Sequence, residues 1–156
     1  MTKTKLKKIL IVNSWIMLVV LMVNWHTTLL INESPSVSGK IFLLVKTKNF
    51  QKGDLIGIKC FHSDYTKERH FTKRLVGVPG DLIAVKDRKI YINGMCKGVA
   101  KSHTKDLRPL TPIAPQIIPD NKYFVMTEHK DSFDSRYVEF GLVGEQHIEG
   151  KVYHIW

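Results

Sequence analysis

Three separated segments of the chain carry side chains that could act together in hydrolysis. The first contains Ser34 and Ser36, the second places Lys73 within an apolar run, and the third contains Ser132. A serine hydroxyl is a weak nucleophile at neutral pH, so it needs a general base that removes its proton. A neutral lysine amine can be that base, and these residue types therefore allow a serine–lysine hydrolase.

Lys73 lies in a run, Phe71–Val78, whose apolar residues alternate as they do in a β-strand, so that it shares a face with Phe71 and Leu75. Burial on that face would disfavour the charged ammonium and leave a neutral amine that can accept a proton. A lysine at a strand edge whose ammonium reaches solvent fits the same pattern. Strand alternation alone leaves both interpretations open.

The other two segments also have simple structural interpretations. Ser34, Ser36 and Ser38 stand in a stretch that contains proline and glycine, which is typical of a turn. Asp134 and Arg136 are two residues apart, so on an extended chain they point to one side, as in an ordinary surface ion pair.

The sequence gives no indication of a metal, a cofactor or a nucleic-acid partner. Its seven histidines form no H-x-x-x-H pair, there is no C-x-x-C, and the glycines occur singly at turns instead of in a phosphate-binding loop. The net charge of +10 is diffuse, with four lysines in the first eight residues and the remaining basic residues interspersed with acids. A clustered basic face, which nucleic-acid binding requires, is missing.

Residues 9–31 contain no Asp, Glu, Lys or Arg and are dominated at first by Ile, Leu, Val and Met. A helix that spans a bilayer needs about 20 such residues. Trp15 and Trp25 are spaced like interfacial aromatics. A cleaved signal peptide would need a shorter apolar core and a small-x-small cleavage site, which this stretch lacks. We therefore predict a transmembrane anchor at 9–31, in contact with the lipid bilayer.

The lysines before the anchor predict its orientation. Positive residues favour the inner side, so residues 1–8 form a basic cytoplasmic tail and residues 32–156 lie on the periplasmic or outer side of the inner (cytoplasmic) membrane. Disulfides persist in such a compartment. A bridge between Cys60 and Cys96 and a pair of unbonded thiols both remain open from the sequence.

The region after the anchor consists of short β-rich runs separated by turn residues, which indicates a mainly β domain of antiparallel sheets. Asn93-Gly94 predicts a hairpin, and the four prolines in Arg108–Pro119 predict a surface loop. The predicted strands are Ile41–Val45, Leu55–Cys60, Phe71–Val78, Leu82–Val85, Ile90–Ile92, Tyr123–Thr127 and Val152–Ile155.

In this order after one membrane span, the three segments resemble the type I signal peptidase superfamily. Lys73–Asp81, with the sequence KRLVGVPGD, is similar to the Lys-Arg-x-x-Gly-x-Pro-Gly-Asp box of that family, and Lys52–Ile56 resembles the Gly-Asp strand before it. Ser132–Tyr137 resembles the Ser-x-Asp-Ser-Arg-Tyr box. The stretch 32–42 resembles the nucleophile box of the conjugative-transfer (TraF-type) branch, although Ser38 stands where that branch has proline.

The resemblance implies a signal-peptidase-like β domain and a role for each matched residue. Ser36 would be the nucleophile, Lys73 the general base, and the hydroxyl of Ser132 would orient the base. The backbone amide of Ser36 and the hydroxyl of Ser34 would form the oxyanion hole.

The same resemblance implies that Asp134 and Arg136 form a structural ion pair that fixes the loop carrying Ser132. The implied activity is that of a membrane-anchored serine endopeptidase, which removes signal or leader segments from exported precursor proteins. The conjugative branch implies a pilin precursor (propilin) as substrate. Two alternatives remain: a general housekeeping signal peptidase I and a non-enzymatic anchored pilus-assembly factor.

Overall fold

A computed structural model of the chain describes residues 3–31, 37–59, 65 and 70–156. One helix, α1 (Lys3–His26), precedes a β domain. The segment Lys7–His26 is long and apolar enough to cross a membrane, and none of it is buried against the protein. Large apolar side chains along the helix are exposed, and Trp25 has 76% of its surface accessible. These properties suit a lipid environment, where apolar side chains face the acyl chains.

The apolar stretch predicted as one anchor at 9–31 divides into two elements. Helix α1 ends at His26, and Thr27–Ile31 forms strand β1, which pairs antiparallel with Ile41–Val45. Two consecutive threonines at the junction favour the extended conformation. Pairing with a neighbouring strand also satisfies the backbone groups that a longer helix would otherwise have satisfied.

Two antiparallel sheets form the rest of the described structure, as the sequence predicts. The strands after β1 are β2 (Ile41–Val45), β3 (Leu55–Lys59), β4 (His70–Gly77), β5 (Leu82–Lys86), β6 (Lys89–Ile92), β7 (Met95–Val99), β8 (Gln116–Ile117), β9 (Lys122–Met126), β10 (Val143–Gly144) and β11 (Ile148–His154); a 3₁₀ turn occupies Glu145–His147. The larger sheet has the order β1-β2-β11-β3-β4-β9-β10 and the smaller one β7-β6-β5-β8.

The predicted hairpin at Asn93-Gly94 is confirmed. These residues have φ values of 49° and 79° and connect β6 to β7, which is the left-handed backbone that a tight hairpin turn needs. The predicted loop Arg108–Pro119 is irregular apart from β8, which pairs at the edge of the smaller sheet. Cys96 is an exposed free thiol, and Cys60 lies outside the described residues.

Two apolar clusters pack against the central strands of the larger sheet, and the first of them also joins that sheet to the smaller one. One contains residues of β5, β6 and β9, among them Ile83, Ile90 and Phe124, together with Tyr137. The other contains residues of β3 and β4, with Phe140 beside them. Strand β4 therefore runs through the interior, and any polar side chain on its inner face lies among apolar neighbours.

Candidate active site

Strand β4 places Lys73 on a buried face. Phe71, Lys73 and Leu75 are 5%, 2% and 0% exposed, whereas Arg74 between them is exposed. The Lys73 Nζ atom lies over the Phe71 ring, 5.3 Å from its centroid. The predicted shared face is therefore present, and the alternative of a lysine that reaches solvent at a strand edge is excluded by the burial.

The buried amine has a partner 59 residues further along the chain. Lys73 Nζ donates a hydrogen bond of 2.7 Å to Oγ of Ser132, which is itself 3% exposed. Burial in apolar surroundings disfavours the charged form of a lysine. The Ser132 hydroxyl therefore holds the Lys73 amine on the inner face of β4, beside the Phe71 ring.

A buried ion pair fixes the loop that carries Ser132. Arg136 Nε and Nη2 donate to the two carboxylate oxygens of Asp134 at 2.8 and 2.9 Å, and the two residues are 3% and 0% exposed. Arg136 Nη2 also donates to the carbonyl oxygens of His129 and Ser132 at 3.2 and 3.1 Å. One guanidinium thus connects both ends of the loop before Asp134.

The interpretation of Asp134 and Arg136 as a surface pair on an extended chain is wrong. The chain turns at this point, with the Tyr137 N–H donating to the Asp134 carbonyl at 3.1 Å, and the pair lies inside the domain. Burial alone would lower the pKa of the Arg136 guanidinium, but the hydrogen bonds and charge of Asp134 raise it above its ordinary value. Arg136 therefore stays charged in the interior.

Asp81 anchors the turn that follows β4, a role that the sequence did not indicate. Its carboxylate accepts hydrogen bonds from the Val78 N–H (2.8 Å), Lys52 Nζ (2.7 Å) and Asn93 Nδ2 (2.7 Å). Burial would raise the pKa of this carboxyl, but these donors lower it below its ordinary value. The family resemblance included Asp81 in the Lys73–Asp81 box but assigned it no partner, because Lys52 and Asn93 are distant along the chain.

The predicted nucleophile Ser36 and its neighbour Ser34 lie outside the described residues. The segment that follows them, Val37–Lys40, is well anchored. Val37 packs against a cluster that contains Phe42 on β2. The backbone N–H groups of Lys40 and Ile41 both donate to the Trp156 carbonyl at 2.9 Å.

A cleft of about 270 Å³ is lined by residues adjacent in sequence to the predicted serine and lysine. Its lining includes Val37, Ser38, Arg74, Thr127 and Glu128. The residue after Ser36 and the residue after Lys73 therefore face the same space.

No group of three or more His, Cys, Asp or Glu side chains that could hold a metal ion occurs within residues 3–31, 37–59, 65 and 70–156. The polar groups brought together around β4 are a lysine, a serine and a buried ion pair. Such a set can activate a hydroxyl nucleophile by proton transfer.

Comparison of the sequence with known proteins assigns the chain to a protein family. Residues 3–156 match the model of the family described as signal peptidase, peptidase S26. Relatives include a signal peptidase I P of Bacillus subtilis subsp. natto, which is 31% identical over 67% of this chain and 58% of its own length. A signal peptidase IB of Staphylococcus aureus is 31% identical over 71% of this chain and 63% of its own length. The chain thus spans less than two thirds of the length of these relatives.

A crystal structure of a signal peptidase I from Enterococcus faecalis is similar with a TM-score of 0.42 and 27% identity, over 66% of this chain and 96% of that chain.

Proposed function

We propose, because the chain belongs to the signal peptidase family (peptidase S26), that it is a membrane-anchored serine endopeptidase which removes signal or leader segments from exported precursors. The observation that carries the proposal is the buried Lys73 amine, held by the Ser132 hydroxyl at 2.7 Å. Lysine is costly to bury in its charged form, so its place inside the sheet needs a chemical reason.

In the proposed mechanism, the neutral Lys73 amine accepts the hydroxyl proton of Ser36 while Oγ attacks the scissile carbonyl. The Ser36 amide and the Ser34 hydroxyl donate hydrogen bonds to the oxyanion of the tetrahedral intermediate. The C–N bond then breaks, and the lysine ammonium returns the proton to the leaving amine. A water molecule, activated by the same amine, hydrolyses the acyl-enzyme and regenerates Ser36.

Two structural features support this assignment. Val37 and Arg74, the sequence neighbours of Ser36 and Lys73, line the same cleft. The Asp134–Arg136 pair fixes the loop of Ser132 by hydrogen bonds to its backbone. A preorganised base needs such support, because small displacements of catalytic groups are costly in rate.

The proposed location is the inner (cytoplasmic) membrane, with α1 as a single-pass anchor and the β domain on the periplasmic or outer side. The exposed apolar surface of Lys7–His26 supports the anchor, and the lysines that precede it support the orientation. Ser36 follows the end of α1 by ten residues. Precursors held in the same bilayer by their own signal segments would be cleaved close to its surface.

Within this activity, we propose a dedicated substrate, a pilin precursor in conjugative transfer, from the resemblance of residues 32–42 to the TraF-type nucleophile box. A general signal peptidase is the second candidate, and the signal peptidases I of Bacillus and Staphylococcus among the relatives favour it. The two differ in the number of precursors that depend on the enzyme.

Mass spectrometry of new amino termini tests both candidates in one experiment. Membrane and exported fractions are compared between cells that carry the wild-type chain and cells that carry Ser36→Ala. Accumulation of one pilus-subunit precursor is the outcome expected for the dedicated enzyme, and accumulation of many unrelated precursors is expected for the general one. An unchanged set of termini, with the variant folded and in the membrane, would refute the peptidase and leave a non-enzymatic assembly factor.

A further inference from the structure

A second groove, of about 490 Å³, lies between strand β7 and strands β4 and β9. It shares Arg74, Thr127 and Glu128 with the cleft lined by Val37. The shared residues connect the groove to the cleft that Val37 and Arg74, the sequence neighbours of Ser36 and Lys73, line. A polypeptide bound in that cleft could therefore extend into the groove.

One side of the groove is an edge strand. In the described structure β7 pairs with β6, and its other edge has no strand neighbour. Unpaired N–H and C=O groups at a sheet edge can bind an extended peptide as an additional strand. The β6–β7 register shifts between Ile90–Gly98 and Tyr91–Cys96, which leaves Lys97 as a bulge residue. Bulges redirect side chains, and Lys97 lines the groove.

The groove has an excess of positive charge. Lys52, Arg74 and Lys97 line it, and Glu128 is the carboxylate among the lining residues. Lys52 is neutralised by Asp81 at 2.7 Å. Within the part of the chain that the structure describes, Arg74 and Lys97 have no carboxylate at salt-bridge distance; Arg74 Nη1 donates to the Gly53 carbonyl at 2.7 Å. Two cations are thus available to a ligand.

The wall that the two clefts share contains a hydroxyl without a partner. Thr127 is 5% exposed, and its Oγ1 atom, shielded from water, makes no hydrogen bond with any described residue. Its backbone N–H is held by Asp134 Oδ2 at 3.3 Å, so the residue is fixed at the end of β9. An unsatisfied buried hydroxyl is unfavourable, and a bound polypeptide that displaces the groups covering it would recover that cost by supplying the partner.

We propose that this groove binds the mature side of the precursor as an extended strand along β7, and that Arg74 and Lys97 favour an acidic side chain in that segment. The inference rests on the proposed peptidase activity and specifies its substrate further. Signal segments are apolar and end in small residues at the cleavage site. The charged lining therefore suits the polar chain that follows the scissile bond.

The test uses the full-length protein in detergent and synthetic peptides that share one signal-side sequence. Aspartate, asparagine or lysine is placed in turn at each position after the cut. We expect kcat/KM to be about five-fold higher for an aspartate peptide than for the matching lysine peptide, the size of a partly exposed charge interaction. Lys97→Glu should reverse this preference, and Lys89→Glu, on the neighbouring strand β6 and outside the groove, should leave it unchanged. Equal preference in wild type and Lys97→Glu would overturn the proposal.

Thr127→Val and Thr127→Ser test the hydroxyl. Valine keeps the shape and removes the oxygen, so KM should rise for every peptide, whereas serine should preserve the wild-type KM. If the hydroxyl were only a structural imperfection, Thr127→Val would stabilise the fold and leave KM unchanged. That result would remove Thr127 from the substrate site.

The asparagine peptide separates this inference from the proposed function. Cleavage of that peptide without any charge preference refutes the groove and leaves the peptidase intact. Failure to cleave any peptide refutes the proposed peptidase activity. In that case, the affinity of the Ser36→Ala protein for the mature-side peptides tests whether the groove binds them. If aspartate peptides bind more tightly than lysine peptides and Lys97→Glu removes this difference, the groove proposal is upheld. If aspartate and lysine peptides bind equally well, the groove proposal is overturned.

Discussion

Nζ of Lys73 and Oγ of Ser132 lie 2.7 Å apart, and both residues are almost completely buried. Burial disfavours a charged amine, and the hydrogen bond to Ser132 holds the Lys73 amine in one orientation. This contact joins the centre of strand β4 to a loop that a buried ion pair holds in place.

Ser132→Ala should reduce activity by at least about 10-fold, because the base loses the group that orients it. The buried Lys73 amine also loses a partner, so the free energy of unfolding should fall by about 1–3 kcal/mol. Peptide cleavage and chemical denaturation measure the two effects.

Ser135→Ala is the matched control for that prediction. Ser135 is fully buried, and its hydroxyl accepts a hydrogen bond of 3.1 Å from the Val125 N–H. Its removal should cost a similar amount of stability, about 1–3 kcal/mol, with activity retained. Equal losses of activity in both variants would show that Ser132 acts through stability alone.

Arg136→Ala should destabilise the domain by about 3–5 kcal/mol, because it leaves the Asp134 carboxylate buried without its cation. In addition, the carbonyl oxygens of His129 and Ser132 each lose the hydrogen bond that Arg136 donates. Thermal unfolding measures the loss. Lys105→Ala is the control, because the pair between Lys105 and Asp131 lies at the surface. If both variants had the same melting temperature, the buried pair would not be what holds the loop.

Stability should fall in acid in part through Asp81. Its folded-state pKa lies below the ordinary value of 3.8. The stabilisation is therefore fully present above about pH 4 and is lost as pH falls through the lowered folded-state value. Denaturation at a series of pH values should show a shallower acid dependence for Asp81→Asn than for wild type. Asp120→Asn, at an exposed position, should leave the slope unchanged, and a wild-type slope in Asp81→Asn would contradict the assignment.

Gly39→Ala should impair both stability and cleavage. Gly39 has a φ of +119°, and an added Cβ would lie 2.2 Å from Cδ2 of His154. The steric conflict should cost about 1–3 kcal/mol beyond the backbone strain, and it disturbs the segment that follows Ser36. Gly94→Ala is the control, because Gly94 has a φ of +79° and open space around the added carbon, so this variant has backbone strain without a steric conflict. A second substitution, His154→Ala, should restore part of the loss in Gly39→Ala; no restoration would exclude the conflict as the cause.

The fold was predictable where local pattern and tertiary packing agree. Alternation around Phe71 and Leu75 predicted β4, and Asn93-Gly94 predicted the hairpin. Strand β1 (Thr27–Ile31) was not predicted, because its leucines and isoleucine continue the apolar composition of the helix. Its strand conformation depends on pairing with Ile41–Val45, which lies ten residues or more further along the chain. Two-residue strands such as β8 and β10 have too few residues to show any period.

The site was predictable as far as residue types and family resemblance extend. They placed Ser132 beside Lys73, and the structure has that contact. Spacing predicted that Asp134 and Arg136 interact, but their burial depends on turns and on packing that the local sequence does not encode. The Asp81 network was not predictable, because Lys52 is 29 residues away from it and becomes a neighbour only when the sheets fold.

The central claim is that Ser36 and Lys73 act as one catalytic unit, and cleavage kinetics of single and double variants test it most directly. Ser36→Ala, Lys73→Ala and the double variant are compared with wild type on one precursor, with folding and membrane insertion checked for each. Lys73→Arg is included because a guanidinium cannot lose its proton at working pH. We predict that each single variant loses at least about 1,000-fold in kcat/KM and that the double variant is no worse than either single one, since residues that act as a unit are not additive. Independent losses that multiply in the double variant, or substantial cleavage by Lys73→Arg, would contradict the account.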